Sequence, residues 1–489
     1  MKRISPKEAG IRPASILGFL DEIEKEGLNL HKFMMLRHGN VFAEGSFRPY
    51  KKEELHALFS FSKSFTSTAV GFAVQDGLLS LEDHVMDFFP DQDPEKLGER
   101  MRGMKIFHLL TMNTGHTDPM DWMFDRTDLD WCSCFLESEP EKDPGSFFLY
   151  NNRATYILSA IVCKITGRSM FDYLKEKLFD PLGFRQDIWW ETSPQGYEGG
   201  AYGLNLPLED MAKFGIFLMN QGSYEGIQLL NAQWFQEAVK PWSDTSGRWG
   251  GEYEYGYGYQ FWMCSVPGIY RADGAFGQFC VVAPEYDLIL ITNSAEPDLG
   301  RILEAFWHNI LPVVRQEPEA AEEAQVSIQA ALEKRLSNLE INTSWKNSPP
   351  LETNRCYQGN LDGREFILED NMYNLRSISF MKSGNDCRIS LKNGENTDIF
   401  IVSAAQWNET VLHPDLPEQE IKKRTFRMGL YEKASVKGYF EKDVVHFDMV
   451  FRETPYCDAW HIKSVKEGIE ISIKRNVGNK PVDFTVRGK

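Results

Sequence analysis

The sequence predicts an α/β layered domain over residues 1–314 and an all-β domain, a barrel or a sandwich, over 351–489. A connecting helix and linker over 315–350 joins them. Three observations predict this. Strand-like apolar runs stand at both ends of the first unit, so its first and last segments share one antiparallel sheet. Helical patterns fill the stretch between them, which places helices against that sheet. Past residue 350 the helical patterns cease, and short alternating runs recur between turn signals.

Each element has its own warrant. "HKFMMLRHGNVFAEGSF" reads as two strands around a turn at His38-Gly39-Asn40. From Phe61 to Gln75, Phe65, Ala69, Phe72 and Ala73 recur on one helical face, and Gly77 is a stop. A second helix follows Tyr150, with Ile157, Ala160 and Ile161 on its apolar face. "QFWMCSV", "GQFCVVAP" and "LILITNS" are short apolar runs broken by Gly, Pro and Asp, as adjacent antiparallel strands require. "RQEPEAAEEAQVSIQAALEKRLSNLE" carries Val326, Ile328, Ala331, Leu332 and Leu336 in a background of strong helix formers. "NTSWKNSPP" ends it. The second unit shows "FILED", "RSISFM", "DCRISLK", "DIFIVS", "VVHFDMVF", "DAWHIKSV" and "GIEISIKR".

Composition narrows the class of partner. Of 489 residues, 53 are Lys or Arg and 71 Asp or Glu, a net charge of −18. Nucleic acid and anionic membrane are polyanions, so neither is expected. No window approaches about 18 uninterrupted apolar residues, so no span is read. Lys7, Glu8, Arg12 and Pro13 interrupt the place of a signal-peptide apolar core, and the expected location is cytoplasmic. The eight cysteines then read as reduced thiols. Cys132-Ser133-Cys134 lacks a second Cys or His pair at metal spacing. No phosphate loop, dinucleotide fingerprint or zinc motif appears, so neither cofactor nor metal is expected. The sequence assigns no oligomeric state.

The chemistry gathers in three places. Ser60 and Lys63 stand three apart at the start of the first helix, on the same side. A serine hydroxyl needs a base in reach, and a lysine in a dry pocket is neutral enough to serve. The backbone N–H of Ser60, at a helix N-terminus, faces a developing oxyanion. Taken alone, Ser-x-x-Lys also describes a helix cap and a lysine reaching solvent. Tyr150 and Asn152 sit just ahead of the second helix and present a phenol and an amide to one pocket. A core tyrosine followed by an asparagine cap fits the same residues. Gly274 and Gly277 flank Ala275-Phe276 at the start of a strand. They leave room for a substrate along its edge, with the Ala275 N–H as second oxyanion donor, or they mark a bulge or a hairpin turn.

These pieces resemble the serine β-lactamase and penicillin-binding-protein-like hydrolases, in the branch with class C β-lactamases, D-aminopeptidases, carboxylesterases and 6-aminohexanoate-dimer hydrolases. The likeness rests on "FSFSKSFTSTAVGFAVQDGLLSLEDHV", "KIFHLLTMNTGH", "YNN", "ITGRSMFDYLKEKLFDPLGF", "GGAYGLNLPLEDMAKFGIFLMNQGSYEG", "YGYGYQFW" and "DGAFGQ". They stand in family order over about the first 310 residues. The resemblance implies an antiparallel sheet flanked by helices with a helical subdomain. It also implies Ser60 as acylated nucleophile, Lys63 as base, Tyr150 as second base or relay, and Asn152 as the amide of the middle motif.

The third motif departs from the family. Relatives carry Lys-Thr-Gly or His-x-Gly where this chain has Ala272-Asp273-Gly274. The cation that receives a substrate carboxylate is missing, and Asp273 is expected to add a negative charge there. Arg271 faces the other side of the strand from Ala272 and does not replace that cation. This weighs against β-lactam and D-Ala-D-Ala substrates and for a small-molecule ester or amide. Asp273 and Gly274 are expected to touch that substrate, and Trp249 and Trp262 to line an apolar acyl pocket. His116 reads as a loop histidine and His308 as a helix residue. The competing reading is a binding or sensor module that keeps the fold without catalysis. Retention of Ser60, Lys63, Tyr150 and Asn152 together speaks against it.

Overall fold

The computed structural model describes residues 1–119, 121–314, 322–344, 361–371, 374–394, 396–413, 433–441, 444–478 and 483–489. Residues 345–350 of the predicted linker, Cys356 and the Val326 side chain lie outside this description.

Among the described residues the first unit holds a six-stranded antiparallel sheet. Its strands are β1 (Leu30–Arg37), β2 (Asn40–Ser46), β3 (Trp262–Met263), β4 (Tyr270–Gly274), β5 (Gln278–Ala283) and β6 (Leu288–Ser294). Their spatial order is β2-β1-β6-β5-β4-β3. Pairing of β1 with β6, Met34 opposite Ile291, joins the two ends of the unit as the sequence predicts. Between β1 and β2, His38 and Gly39 both have positive φ, +52° and +68°, as a two-residue hairpin that follows the strand twist requires.

Helices cover both faces: α1 (Pro13–Lys25), α2 (Ser62–Gln75), α3 (Asn152–Thr166), α4 (Leu208–Met219), α5 (Gly300–Asn309) and α6 (Glu322–Ser337). Successive strand residues serve opposite cores. Met34, Leu36, Cys280, Val282, Ile289 and Ile291 pack with α2 and α4. Phe33, Met35, Phe279, Val281, Leu288 and Leu290 pack with α1 and α5. Burial on both faces is why these strands read as continuous apolar runs. The helix read as a connector, α6, is docked rather than free: Leu332 shares the α1–α5 core.

The one-faced reading of α2 is corrected. Every residue from Ser62 to Ala73 is buried, because the helix runs through the centre of the domain. Most of its hydroxyls are satisfied internally, Ser67 excepted: Ser64 donates to the Gln260 carbonyl at 2.8 Å and Thr66 to the Gly200 carbonyl at 2.9 Å. Phe65 stacks on Phe214 with centroids 4.0 Å apart. Each such buried aromatic contributes about 1.5–3 kcal/mol.

The second unit is all antiparallel β. One sheet runs β7 (Glu365–Ile367), β8 (Leu375–Ser383), β9 (Asp386–Asn393), β10 (Asn396–Val402). The other runs β11 (Asn408–Val411), β12 (Lys433–Glu441), β13 (Val444–Phe451), β14 (Cys457–Val465), β15 (Gly468–Arg475), β16 (Asp483–Gly488). The sheets meet at both edges, through Ile367 with Lys489 and through the Ser403 carbonyl with the Gly438 N–H. They enclose one core that includes Ile378, Phe400, Phe447 and Ile471.

The two units are stitched together beside the start of α2. The Ala57 N–H donates to the Glu453 carbonyl at 2.9 Å. Arg452 grips both carboxylate oxygens of Glu54, each at 2.9 Å. Among the described residues no helix is long and apolar enough to cross a membrane.

Candidate active site

Ser60 lies in a single 3₁₀ turn, Phe59–Phe61, that feeds directly into α2. The hydroxyl-bearing residue is half-buried, while Lys63 is 1% exposed. The Lys63 Nζ donates to Ser60 Oγ at 3.0 Å, to Asn152 Oδ1 at 2.7 Å and to the Ala201 carbonyl at 2.9 Å. All three partners are neutral acceptors. Among the described residues no carboxylate lies at ion-pair distance from it. Burial therefore drives the Lys63 ammonium down to about 7, against the opposing pull of Asp121 and Asp273.

Asn152 is the first residue of α3, and its neighbour Asn151 caps that helix by accepting from the Arg153 N–H at 3.0 Å. The capping role thus falls to Asn151, which frees the Asn152 amide for the site. Its Oδ1 accepts from Lys63 Nζ, and its Nδ2 donates to Asp121 Oδ1 at 3.2 Å. Asp121 is surface-exposed as a residue, but desolvation where its carboxyl meets Asn152 pushes that group up.

The Tyr150 ring lies under the Lys63 ammonium, with Nζ 4.7 Å from the ring centre. Burial pushes its phenol well above its ordinary range, and a hydrogen bond with Ser60 opposes this only in part. Of the two roles expected for Tyr150, second base or relay, this shift favours the relay. The neutral phenol is a hydrogen-bond donor, while burial brings Lys63 down toward neutral pH. Trp249 and Trp262 flank Tyr150 at centroid distances of 5.5 and 5.7 Å. They differ in exposure: Trp249 is 54% exposed and Trp262 is 3% exposed. Trp249 is open to solvent beside Tyr150, and Trp262 backs Tyr150 from inside.

The third element corrects two expectations. Asp273 does not present a free charge. It accepts from Arg271 Nε at 2.7 Å and from the Tyr253 hydroxyl at 3.1 Å, with Arg271 and Asp273 buried and Tyr253 partly so. Burial pushes its carboxyl up, and Arg271 and Tyr253 oppose that push. Arg271 and Asp273 are two apart on β4, so they share a face and neutralise each other. Gly274 is not a substrate clearance either. A Cβ there would stand 2.1 Å from the Leu58 carbonyl, so the glycine lets β4 pass against the chain leading to Ser60. Ala275 to Gly277 form the hairpin turn between β4 and β5, with Gly277 N–H bonded to the Gly274 carbonyl at 3.2 Å.

Ala272 is fully buried in the α2–α4 core. His116 is also structural, buried and bonded to Thr114 and Ser138. His308 is held on α5 by Glu22.

Sequence reasoning missed three participants. The Ala201 carbonyl is backbone and carries no side-chain signal. Asp121 stands in an acidic loop, "HTDPMDWMFD", with nothing to single it out. Gln260 braces the site from below: its Oε1 accepts from Thr155 at 2.7 Å, and its Nε2 donates to the Leu109 and Leu110 carbonyls. It thereby ties α3 to the 106–110 helix, and α2 through Ser64.

A family model described as Beta-lactamase matches residues 32–306. A beta-lactamase of Yersinia enterocolitica is 28% identical over 190 residues, which cover 34% of this chain and 47% of that protein. The 6-aminohexanoate-dimer hydrolase of Paenarthrobacter ureafaciens is 23% identical over 340 residues, covering 63% and 82%. Across the first curated relatives, the matched stretch spans only 36% to 56% of their own length. Among solved structures, EstCE1, a hydrolase with promiscuous acyltransferase activity, superposes with a TM-score of 0.50 at 17% identity, over 60% of this chain and 98% of that one. That likeness concerns the fold. The matched span takes in the Ser60, Tyr150 and Gly274 segments and the whole six-stranded sheet except the first two residues of β1, and the chain belongs to the Beta-lactamase family.

Proposed function

We propose that the protein is a cofactor-independent serine hydrolase that acts on a small ester or neutral amide through a Ser60 acyl-enzyme. The observation that carries this is the Lys63 Nζ, 3.0 Å from Ser60 Oγ, buried, and held near neutrality by desolvation. Neutral Lys63 takes the Ser60 proton as Oγ attacks the carbonyl carbon. The backbone N–H groups of Ser60 and Ala275 receive the oxyanion. The neutral Tyr150 phenol gives its proton to the leaving group and recovers one from the Lys63 ammonium, which returns to the free amine. Water, deprotonated by the same lysine, then attacks the acyl carbonyl, and the lysine returns that proton to Ser60 Oγ as its bond to the acyl carbon breaks and the acid leaves.

Two features support an ester or neutral amide over a β-lactam. Ala272 has no surface to offer, and Arg271 is spent on Asp273 and on the Met263 and Glu252 carbonyls at 3.1 Å each. Neither receives a substrate carboxylate. A relative described as a 6-aminohexanoate-dimer hydrolase is consistent with this choice.

Intact-protein mass after exposure to a fluorophosphonate tests the reading. One adduct, absent in Ser60→Ala, is expected. Folded wild-type protein that gains no mass would sink it.

A further inference from the structure

Two bulky residues beside the proposed oxyanion donors have left-handed backbone. Phe59, just before Ser60, has φ +50°, and Phe276, just after Ala275, has φ +65°. A side chain of this size leaves that region unless its surroundings hold it there. The holding contacts are aromatic. The rings of Phe59 and Phe276 meet edge to face at 5.5 Å. A third ring, Tyr456, reaches them from the second unit, at 6.3 Å from Phe59 and 6.4 Å from Phe276.

Tyr456 is itself firmly placed. It is buried at the turn between β13 and β14, where its N–H donates to Thr454 Oγ1 at 3.1 Å. Thr454 Oγ1 in turn donates to the Phe451 carbonyl at 3.0 Å. The Arg475 guanidinium covers its ring at 4.9 Å and is fixed by Asp458 at 2.7 and 2.9 Å. The same turn is bonded to the chain before Ser60 through the Glu453 carbonyl and the Ala57 N–H. Tyr456 stands outside the hydrogen-bonded set of Ser60, Lys63, Tyr150 and Asn152, so its influence is indirect.

We infer that Tyr456, from the C-terminal β domain, is a positioning residue for the oxyanion pocket: its ring clamps Phe59 and Phe276 and so keeps the N–H groups of Ser60 and Ala275 convergent. The inference rests on the hydrolase reading above. Without the ring, the two left-handed residues relax and the adjoining peptide planes rotate. Donors aimed at an oxyanion act on the transition state, so the loss falls on kcat and spares KM.

The test compares full-length wild type, Tyr456→Ala, Tyr456→Leu and Tyr456→Phe with p-nitrophenyl butyrate as probe. Removing an oxyanion donor outright costs about 10²–10³ in kcat, and misaiming one is expected to cost roughly 10- to 100-fold. Tyr456→Ala and Tyr456→Leu should show that loss with KM within about threefold of wild type. Tyr456→Phe, which keeps the ring, should restore kcat. The leucine variant keeps apolar volume and serves where the alanine variant does not fold. Unchanged kcat in the folded variants would overturn the clamp. So would a loss confined to KM, which marks substrate contact, or a phenylalanine variant as slow as alanine. Wild type that binds no fluorophosphonate would overturn the hydrolase reading itself, and the clamp with it.

Discussion

At the scale of single residues, the site turns on one lysine denied a counterion. Lys63 is surrounded by a hydroxyl, an amide oxygen and a carbonyl, with Asp121 and Asp273 acting only from a distance. Its proton affinity near 7 predicts the pH profile. Acylation by a fluorophosphonate should climb as pH rises through about 7 and level off above it, because only the neutral amine accepts the Ser60 proton. Lys63→Met should slow adduct formation by about 10²–10⁴ and abolish that inflection. A wild-type rate that is flat between pH 6 and 8 would contradict this. Ser60 and Lys63 were legible because their chemistry is in their side chains and their spacing is one helical turn. The state of Tyr150 was not: the sequence shows a phenol but not the depth of its burial. Asp273 misled for a related reason, since its pairing with Arg271 depends on both being sealed inside.

At the scale of elements, the site is assembled where α2, α3 and β4 converge, and each needs a specific neighbour. The β4 approach is the tightest. Gly274→Ala would set a methyl 2.1 Å from the Leu58 carbonyl, an atom of backbone that cannot swing away. The variant is expected to lose about 1–3 kcal/mol, typical of overpacking, and to lose esterase activity even at temperatures where it remains folded. Thermal melts with parallel p-nitrophenyl ester assays check both. A stable, active variant would return the glycine to the substrate-clearance role. The periodicity of α2 was visible in the sequence, but its central course was not, because Ser64, Thr66 and Ser67 look like a solvent face until partners for two of them appear. The strands of the sheet were readable as elements. Their division between two cores follows only from seeing helices on both sides.

At the scale of the whole molecule, the junction between the units carries a second set of titrating groups. His31, Lys32 and His56 are buried there, with Tyr50 stacked on His31 at 3.9 Å. The charged groups around them are Glu53, Glu54 and Glu453, with Arg452 bound to Glu54. Burial, with help from Lys32, holds both histidines well below their ordinary 6.5. The unfolded chain then binds more protons below about 6.5, so the stability they allow is present above that pH and is lost as pH falls toward their folded values. Melting temperature should drop between pH 7 and pH 5, and His56→Gln should shrink that drop. An equal drop in both proteins would exclude the histidine. Little of this junction was legible, because its partners lie far apart in sequence and none repeats at a helical or strand period. The change of texture near residue 350 marked a second unit but gave no hint that it would lean on the first.

The bond from Ala57 to Glu453 and the ring of Tyr456 beside Phe59 also set an order in time. During synthesis Ser60 emerges long before the turn that lies against its neighbour Phe59, and domains fold as they emerge. The first unit can bury its own cores while the ribosome is still making the second. The chain before Ser60 gains these last partners only when residues 453–456 have emerged, so Ser60 and Lys63 are made well before their surroundings are complete.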